Sequence, residues 1–434
     1  MFFDNSNGKM LSTKKFEQHI QDLLQARERY DRVEKSAELK EFLELDKIVK
    51  DDDFQAKKQE LTTRRYKDTE EYQKSERLRK LEGKWSVRCY FRRVADPEFK
   101  ELLKFLDSPD SYKLQDENEW KNDPRLKRLH GIYDSRRYRK YEAMKQSGII
   151  DEIEELRKET STPEFKKNNA FWANPKRWET TEEGKQDLRH AALLQKPDIR
   201  FFIEQDPKQM EDLRTYNLIW QDKFANRQNW QVGQGFSDKA LKSQYSLTSQ
   251  HNANNNGRNT TVGQKGLRID TRKEHVKAPA WDAQKGFCDA QFDYTSDTLN
   301  SAGKLAIKNG GIVMAKVKLD GKVHHSLYLT TGKREIALQL FNTDGKYVQV
   351  GLCTRNSQNL TNTGIKGSDE FIYSLVWENR ELVWYINNKE VGRMYDTEVP
   401  QNEDLFLVLT SFLPKEEKAK TGYMQVSWIR AFKK

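Results

Sequence analysis

The chain has 434 residues, of which 33% are charged and 35% hydrophobic, and its formal net charge is +10. That length predicts two or three domains, and the lack of any apolar run of about 18 residues excludes a transmembrane helix. The three cysteines, Cys89, Cys288 and Cys353, form neither a disulfide framework nor a metal spacing. Such cysteines suit a reducing compartment, and the start, MFFDNSNGKMLSTKK, holds no apolar stretch long enough for a secretory signal, so a cytoplasmic setting or an assembled particle is expected.

Residues 1–215 carry 47 Lys and Arg against 45 Asp and Glu, and 216–434 carry 30 against 22. The first half is therefore dense in charge yet nearly neutral, and the basic excess of the second half is spread along it. A nucleic-acid binder concentrates positive charge in one patch, so this distribution argues against one.

Residues 1–95 contain no proline, and their apolar residues recur at helical spacing. Phe16, Ile20, Leu23 and Leu24 mark one helix face; Leu39, Phe42, Leu43 and Leu45 continue the pattern until Asp51, Asp52 and Asp53 break it. The spacing predicts long charged helices with narrow buried stripes, an arm suited to positioning or to oligomerisation. From 96 to 215 the chain holds seven of its ten prolines, most after a residue able to cap a helix: Asp96-Pro97, Ser108-Pro109, Asp123-Pro124, Thr162-Pro163, Asn174-Pro175 and Asp206-Pro207. Lys196-Pro197 alone lacks such a residue. Each capped pair predicts the start of a short helix. Tyr112, Tyr138 and Phe165, spaced by 26 and 27 residues, raise the expectation of a helical repeat.

Near residue 216 the period becomes alternating. GIVMAKVKLDG (311–321), EIALQLF (335–341), FIYSLVW (371–377) and ELVWYINNKEVGRM (381–394) read as strands, separated by Asn-Gly, Asp-Gly and Asn-Asn turns. An antiparallel sandwich or barrel follows. The Asn-rich stretch 249–264 reads as a polar loop.

The order of these phrases carries a resemblance. Tyr216–Phe224 (YNLIWQDKF) is similar to a "lvWsDEF" opening, Gly266–Ile269 to a turn glycine entering a strand, Phe371–Trp377 to "FHtYaveW", Tyr385–Val391 to a "fyvDGk.v" hairpin, and Met424–Phe432 to a closing "myVDyVRVy" strand. Together they resemble glycoside hydrolase family 16, the laminarinases and related glucanases, over residues 216–434. The resemblance implies a concanavalin A-like jelly roll, so the fold class expected for the whole chain is a helical arm (1–95 and 96–215) followed by a β-sandwich (216–434).

The family's signature is E-I-D-I-x-E on one strand, whose alternate acids share a face. The segment in its place is Glu335-Ile336-Ala337-Leu338-Gln339-Leu340-Phe341. By this resemblance Glu335 takes the nucleophile position, Ala337 replaces the middle acid, and Gln339, or Leu340 if the strand carries a bulge, replaces the acid/base. An amide cannot cycle a proton between leaving group and water, so double displacement lacks its second carboxylate. Upstream, Tyr328 takes the place of a sugar-stacking tryptophan. His324 and His325 are candidate ligand groups that face opposite ways on a strand. Trp384 is a further candidate platform, beside Trp281, Trp377 and Tyr347. No metal or cofactor is expected, calcium being implied by the resemblance alone. The reading is a degenerate jelly roll that binds a polysaccharide or a protein surface; its rivals are an active glycosidase using Glu335 with another carboxylate, and a structural block in a larger assembly such as a phage particle.

Overall fold

A computed structural model describes residues 2–3, 9–233, 245–302, 304–320, 322–332, 336–354 and 356–434. The chain forms two compact units: Met1–Glu34 with Phe201–Lys434, and Lys35–Arg200. The second unit is thus inserted into the first, between the first helix and the helices that lead into the strands. The compact units divide at 34/35 and 200/201, whereas the sequence suggested changes at 95 and 215. Local periodicity shows where helix type changes, but a unit boundary depends on which faces bury against one another.

The inserted unit is helical throughout. Among the described residues only the first helix, Thr13–Glu34, is long; the expected long helices of 37–95 are helices of 13, 12, 14 and 11 residues. Ser36, Asp51 and Thr69 interrupt them by accepting bonds from the amides of the following turn. Asp96, Asp123, Thr162 and Asp206 cap helices that begin at the next proline. Asn174-Pro175 instead makes a turn, and Pro197 starts a helix after an uncapping lysine. Tyr138 and Phe165 both sit three residues beyond a capping Ser135 or Thr162. Tyr112 lies on a 3-10 turn and is 60% exposed. The three aromatics therefore do not mark one repeating structural position.

Strands begin at Asn217. In chain order they are β1 (Asn217–Asp222), β2 (Gln231–Val232), β3 (Ser246–Leu247), β4 (Asn252–Asn254), β5 (Thr260–Gly263), β6 (Gly266–Asp282), β7 (Gly286–Ser296), β8 (Thr298–Asn300) and β9 (Gly311–Leu319). There follow β10 (His324–Thr330), β11 (Ile336–Thr343), β12 (Tyr347–Thr354), β13 (Gln358–Lys366), β14 (Glu370–Glu378), β15 (Glu381–Ile386), β16 (Lys389–Tyr395), β17 (Phe406–Phe412) and β18 (Gly422–Lys433). Among the described residues they make two sheets. One runs β16-β15-β14-β9-β18-β6-β7-β4 with β1, β3 and β5 at its sides; the other runs β13-β12-β11-β10-β17-β8-β2. Apart from the short β3–β6 and β4–β7 pairs, the pairings are antiparallel. Strands distant in sequence are neighbours, as a jelly roll requires.

Between the sheets lies the core, with Leu327, Leu338, Phe341, Tyr373, Trp377, Trp384 and Ile429 among its members. The outer face of the first sheet is covered by the chain's own N-terminal part. Phe2, Phe3, Phe16, Ile20, Leu23 and Tyr30 pack with Met314, Ile372, Tyr385, Trp428 and Phe432. Glu17, on the first helix, accepts from Lys316 Nζ at 2.9 Å and Trp428 Nε1 at 2.8 Å. Burial alone would raise the Glu17 carboxyl, but these bonds and the charges of Lys316 and Arg430 outweigh it and hold it below the usual carboxylate range.

Two local features contradict a loop reading of 249–264. Asp297, itself buried, accepts bonds from the amides of Asn255, Gly257 and Asn259 and from Thr260 Oγ1, at 2.8–3.2 Å. The stretch also contributes β4 and β5, so its asparagines are structural. Gly266 opens β6 at φ +96°, where a Cβ would lie 2.1 Å from the Val426 carbonyl.

Candidate binding face

Of the sequence-predicted residues, Ala337, Gln339, Tyr328 and His324 belong to the outer face of the seven-stranded sheet. In β10, Leu327 and Leu329 point to the core, which turns Ser326, Tyr328 and Thr330 outward. In β11, Ile336 and Leu338 are core residues, so Ala337 and Gln339 face outward. Tyr328 pairs with Gln339 while Leu327 pairs with Phe341, so Leu340 is an inserted residue. Both Leu340 and Phe341 are in the core, and the outward series resumes at Asn342.

Register then aligns outward residues across strands. Thr298 (β8) opposes Thr410 (β17), Thr410 opposes Ser326 (β10), Ser326 opposes Asn342 (β11), Asn342 opposes Gln349 (β12) and Gln349 opposes Asn362 (β13). This hydroxyl and carboxamide row crosses six strands. At the usual strand spacing it is roughly 24 Å long. Its members bond along the face: Thr298 Oγ1 to Thr410 Oγ1 at 2.8 Å, and Asn342 Nδ2 donating to Gln349 Oε1 at 3.0 Å. Ser326 Oγ donates to Gln339 Oε1 at 2.6 Å, linking the row to its neighbour Gln231–Asn300–Val408–Tyr328–Gln339–Gly351–Leu360. Among the described residues neither row contains an acid or a base.

The predicted site residues separate on this frame. Ala337 and Gln339 face outward from β11, where Gln339 is 8% exposed among its partners. Glu335 lies outside the described residues. Tyr328 faces outward but is half-buried, packed with Phe406, Val408 and Ala302, so its ring is not an open platform. His324 and His325 diverge as neighbours on a strand must. His324 meets the Glu417 carboxylate at 3.0 Å. His325 points inward, fully buried, with Nδ1 2.8 Å from Ser411 Oγ and Nε2 3.3 Å from Asp320 Oδ1. That Ser–His–Asp array has no open side at its serine, which is 1% exposed, so it braces the strands instead of attacking a substrate.

Trp384 is a correction. It is 1% exposed between the sheets, and its Nε1 donates to the Gln339 carbonyl at 2.6 Å. Alternation along β15 turns it inward, so it supports the face from behind and offers no stacking surface. Trp377 is likewise core. Among the described residues no three His, Cys, Asp or Glu side chains gather so as to hold a metal ion. A cavity of about 340 Å³ at the end of β10 and β11 is lined by Thr331, Ile336, Thr354, Glu398 and Glu403. The row residues Thr298, Ser326, Asn342, Gln349, Thr410 and Asn362 were not singled out by the sequence. Each strand's alternation shows them as outward, but only the register of non-consecutive strands lines them up.

No family model matches the chain, and no curated protein matches it. Among solved structures, it is similar to the laminarinase catalytic domain of Thermotoga maritima MSB8, at 18% identity over 50% of this chain and 98% of that one, with a TM-score of 0.40. An endo-β-1,3-glucanase of Pyrococcus furiosus aligns at 16% identity over 50% and 94%, with a TM-score of 0.40. The laminarinase of Flavobacterium sp. UMI-01 aligns at 15% identity over 50% and 100%, also at 0.40. No helix among the described residues is long and apolar enough to cross a membrane.

Proposed function

We propose that the chain binds a neutral, hydroxyl-rich polymer, a glycan, across the outer face of the seven-stranded sheet and does not hydrolyse it. The observation that carries this reading is the uncharged row from Thr298 to Asn362. Hydroxyls and carboxamides both donate and accept, which matches the hydroxyls of a sugar chain without favouring a charged ligand. Retaining hydrolysis needs two carboxyl groups roughly 5–5.5 Å apart, one of them able to exchange a proton. Ala337 and Gln339 supply neither, and the strand Ile336–Thr343 carries no acid at all. The helical insertion then serves to position the sandwich or to join it to a partner surface.

The test is a panel of β-glucans and galactans, laminarin included, in which binding and reducing-end release are read from the same sample. Binding without release is the expected result. Asn342→Ala and Gln349→Ala should each weaken binding about five- to tenfold, the worth of one hydrogen bond. Release of reducing ends, or binding to nothing on the panel, would overturn the proposal. The first outcome would direct attention to Glu335 with an acid from another segment, and the second to a structural role.

A further inference from the structure

Segment 413–421 joins β17 to β18, and three of the chain's seven histidines hold it. It runs beside residues 249–252: the His251 amide donates to the Leu413 carbonyl at 2.8 Å, and the Lys415 amide donates to the Ser249 carbonyl at 3.0 Å. Midway, two imidazoles converge on one residue. His324 Nε2 lies 3.0 Å from both carboxylate oxygens of Glu417, and His251 Nε2 lies 3.0 Å from its carbonyl. The roots are tied by the third histidine. His325 bridges Ser411 and Asp320, and Asp320 accepts from the Tyr423 amide at 3.1 Å.

We propose that segment 413–421 is a proton-responsive clasp, tightened on Glu417 when His324 and His251 take up protons and loosened when they release them. A neutral imidazole offers one N–H, whereas the protonated ring presents a charged donor to the carboxylate and to the carbonyl. Other charges face this arrangement from each side. Lys322 and Asp344 with Lys346 stand on the turns that flank the His324 ring, Tyr294 lies beside His251, and Lys415, Glu416, Lys418 and Lys420 belong to the segment itself. Burial keeps the His325 imidazole below the usual histidine range despite its bond to Asp320.

Hydrogen exchange of the intact chain, corrected for the intrinsic rate and followed at pH 5.5 and 7.5, tests the clasp. Protection of amides 415–421 should be about two- to fivefold higher at pH 5.5, the scale of a partly exposed ion pair, while that of the core β9 amides, which report global opening, does not rise. Glu417→Gln alters an exposed carboxylate and should remove most of that difference. His324→Gln should do the same, and with His251→Gln added the segment should show no pH response. Equal protection of 415–421 at the two pH values in the unaltered chain would overturn the proposal. So would a pH response that survives Glu417→Gln.

Discussion

Glu17 offers a direct test of why the N-terminal helix belongs to the sandwich. Replacing it with alanine leaves the Trp428 N–H without an acceptor under the helix, where Trp428 is 6% exposed. An unpaired buried donor costs about 1–3 kcal/mol, and the lost charge-assisted bond to Lys316 adds about 1 kcal/mol, since Lys316 keeps Glu370 at 3.5 Å. The expected loss for Glu17→Ala is therefore about 3 kcal/mol. Glu17→Gln keeps one acceptor for the indole and should lose about 1 kcal/mol. Urea unfolding followed by tryptophan fluorescence measures both. The pH dependence supplies a second constraint. A carboxyl whose pKa is depressed on folding contributes stability that is fully present above its unfolded value, 4.5, and is lost as pH falls through the lower folded value. The gap between Glu17→Gln and the unaltered chain should thus close below pH 4.5. A Glu17→Ala variant within about 0.5 kcal/mol of the parent would refute the claim that this bonded carboxylate seats the helix.

Three further outcomes are expected. Trp384→Phe removes the donor to the Gln339 carbonyl and leaves a small void, and should cost about 2 kcal/mol, read as a lower Tm. Because the buried His325 has a folded pKa below its unfolded value of 6.5, the unfolded chain gains a proton that the native chain refuses. Sandwich stability should fall as pH drops below 6.5, and His325→Gln should flatten that slope in urea midpoints at pH 7.5 and 5.5. This sign is opposite to that of the clasp, so global and local opening are separable. Finally, Glu34 bonds Arg214 at 2.6 Å and Tyr30 stacks on Phe202 at 4.4 Å, so the ends of the insertion lie close together on the sandwich unit. Replacing 35–200 by about six Gly/Ser residues, a reach on the order of 13 Å, should leave a folded sandwich with native circular dichroism in the β region.

Much of this architecture was written in local pattern. Alternation around Ile312–Leu319 and Phe371–Trp377, with the Asn387-Asn388 turn, marks strands because side chains on a pleated strand reverse face at every residue. Asp96, Asp123, Thr162 and Asp206 mark helix starts because a short polar side chain before proline satisfies a free amide. That Ala337 and Gln339 are neutral and share a face is visible in the same way, since it needs only the strand and its alternation.

Other features depend on contacts between distant segments. Trp384 and Tyr328 both read as platforms in one dimension, yet Trp384 is core and Tyr328 is packed with Phe406 and Val408, because burial depends on which sheet covers which face. The membership of Thr13–Glu34 in the sandwich unit rests on Glu17 meeting Lys316 and Trp428 across some 300 and 411 positions of chain. The row from Thr298 to Asn362 exists only once β8, β17, β10, β11, β12 and β13 are set in register. The element types, their caps and the neutral residues at 337 and 339 were legible in the chain, because all of them follow from near neighbours. The covered sheet, the polar row across the other sheet and the meeting of His251 and His324 on Glu417 came only with tertiary contacts, because each is made by segments whose order in space differs from their order in the chain.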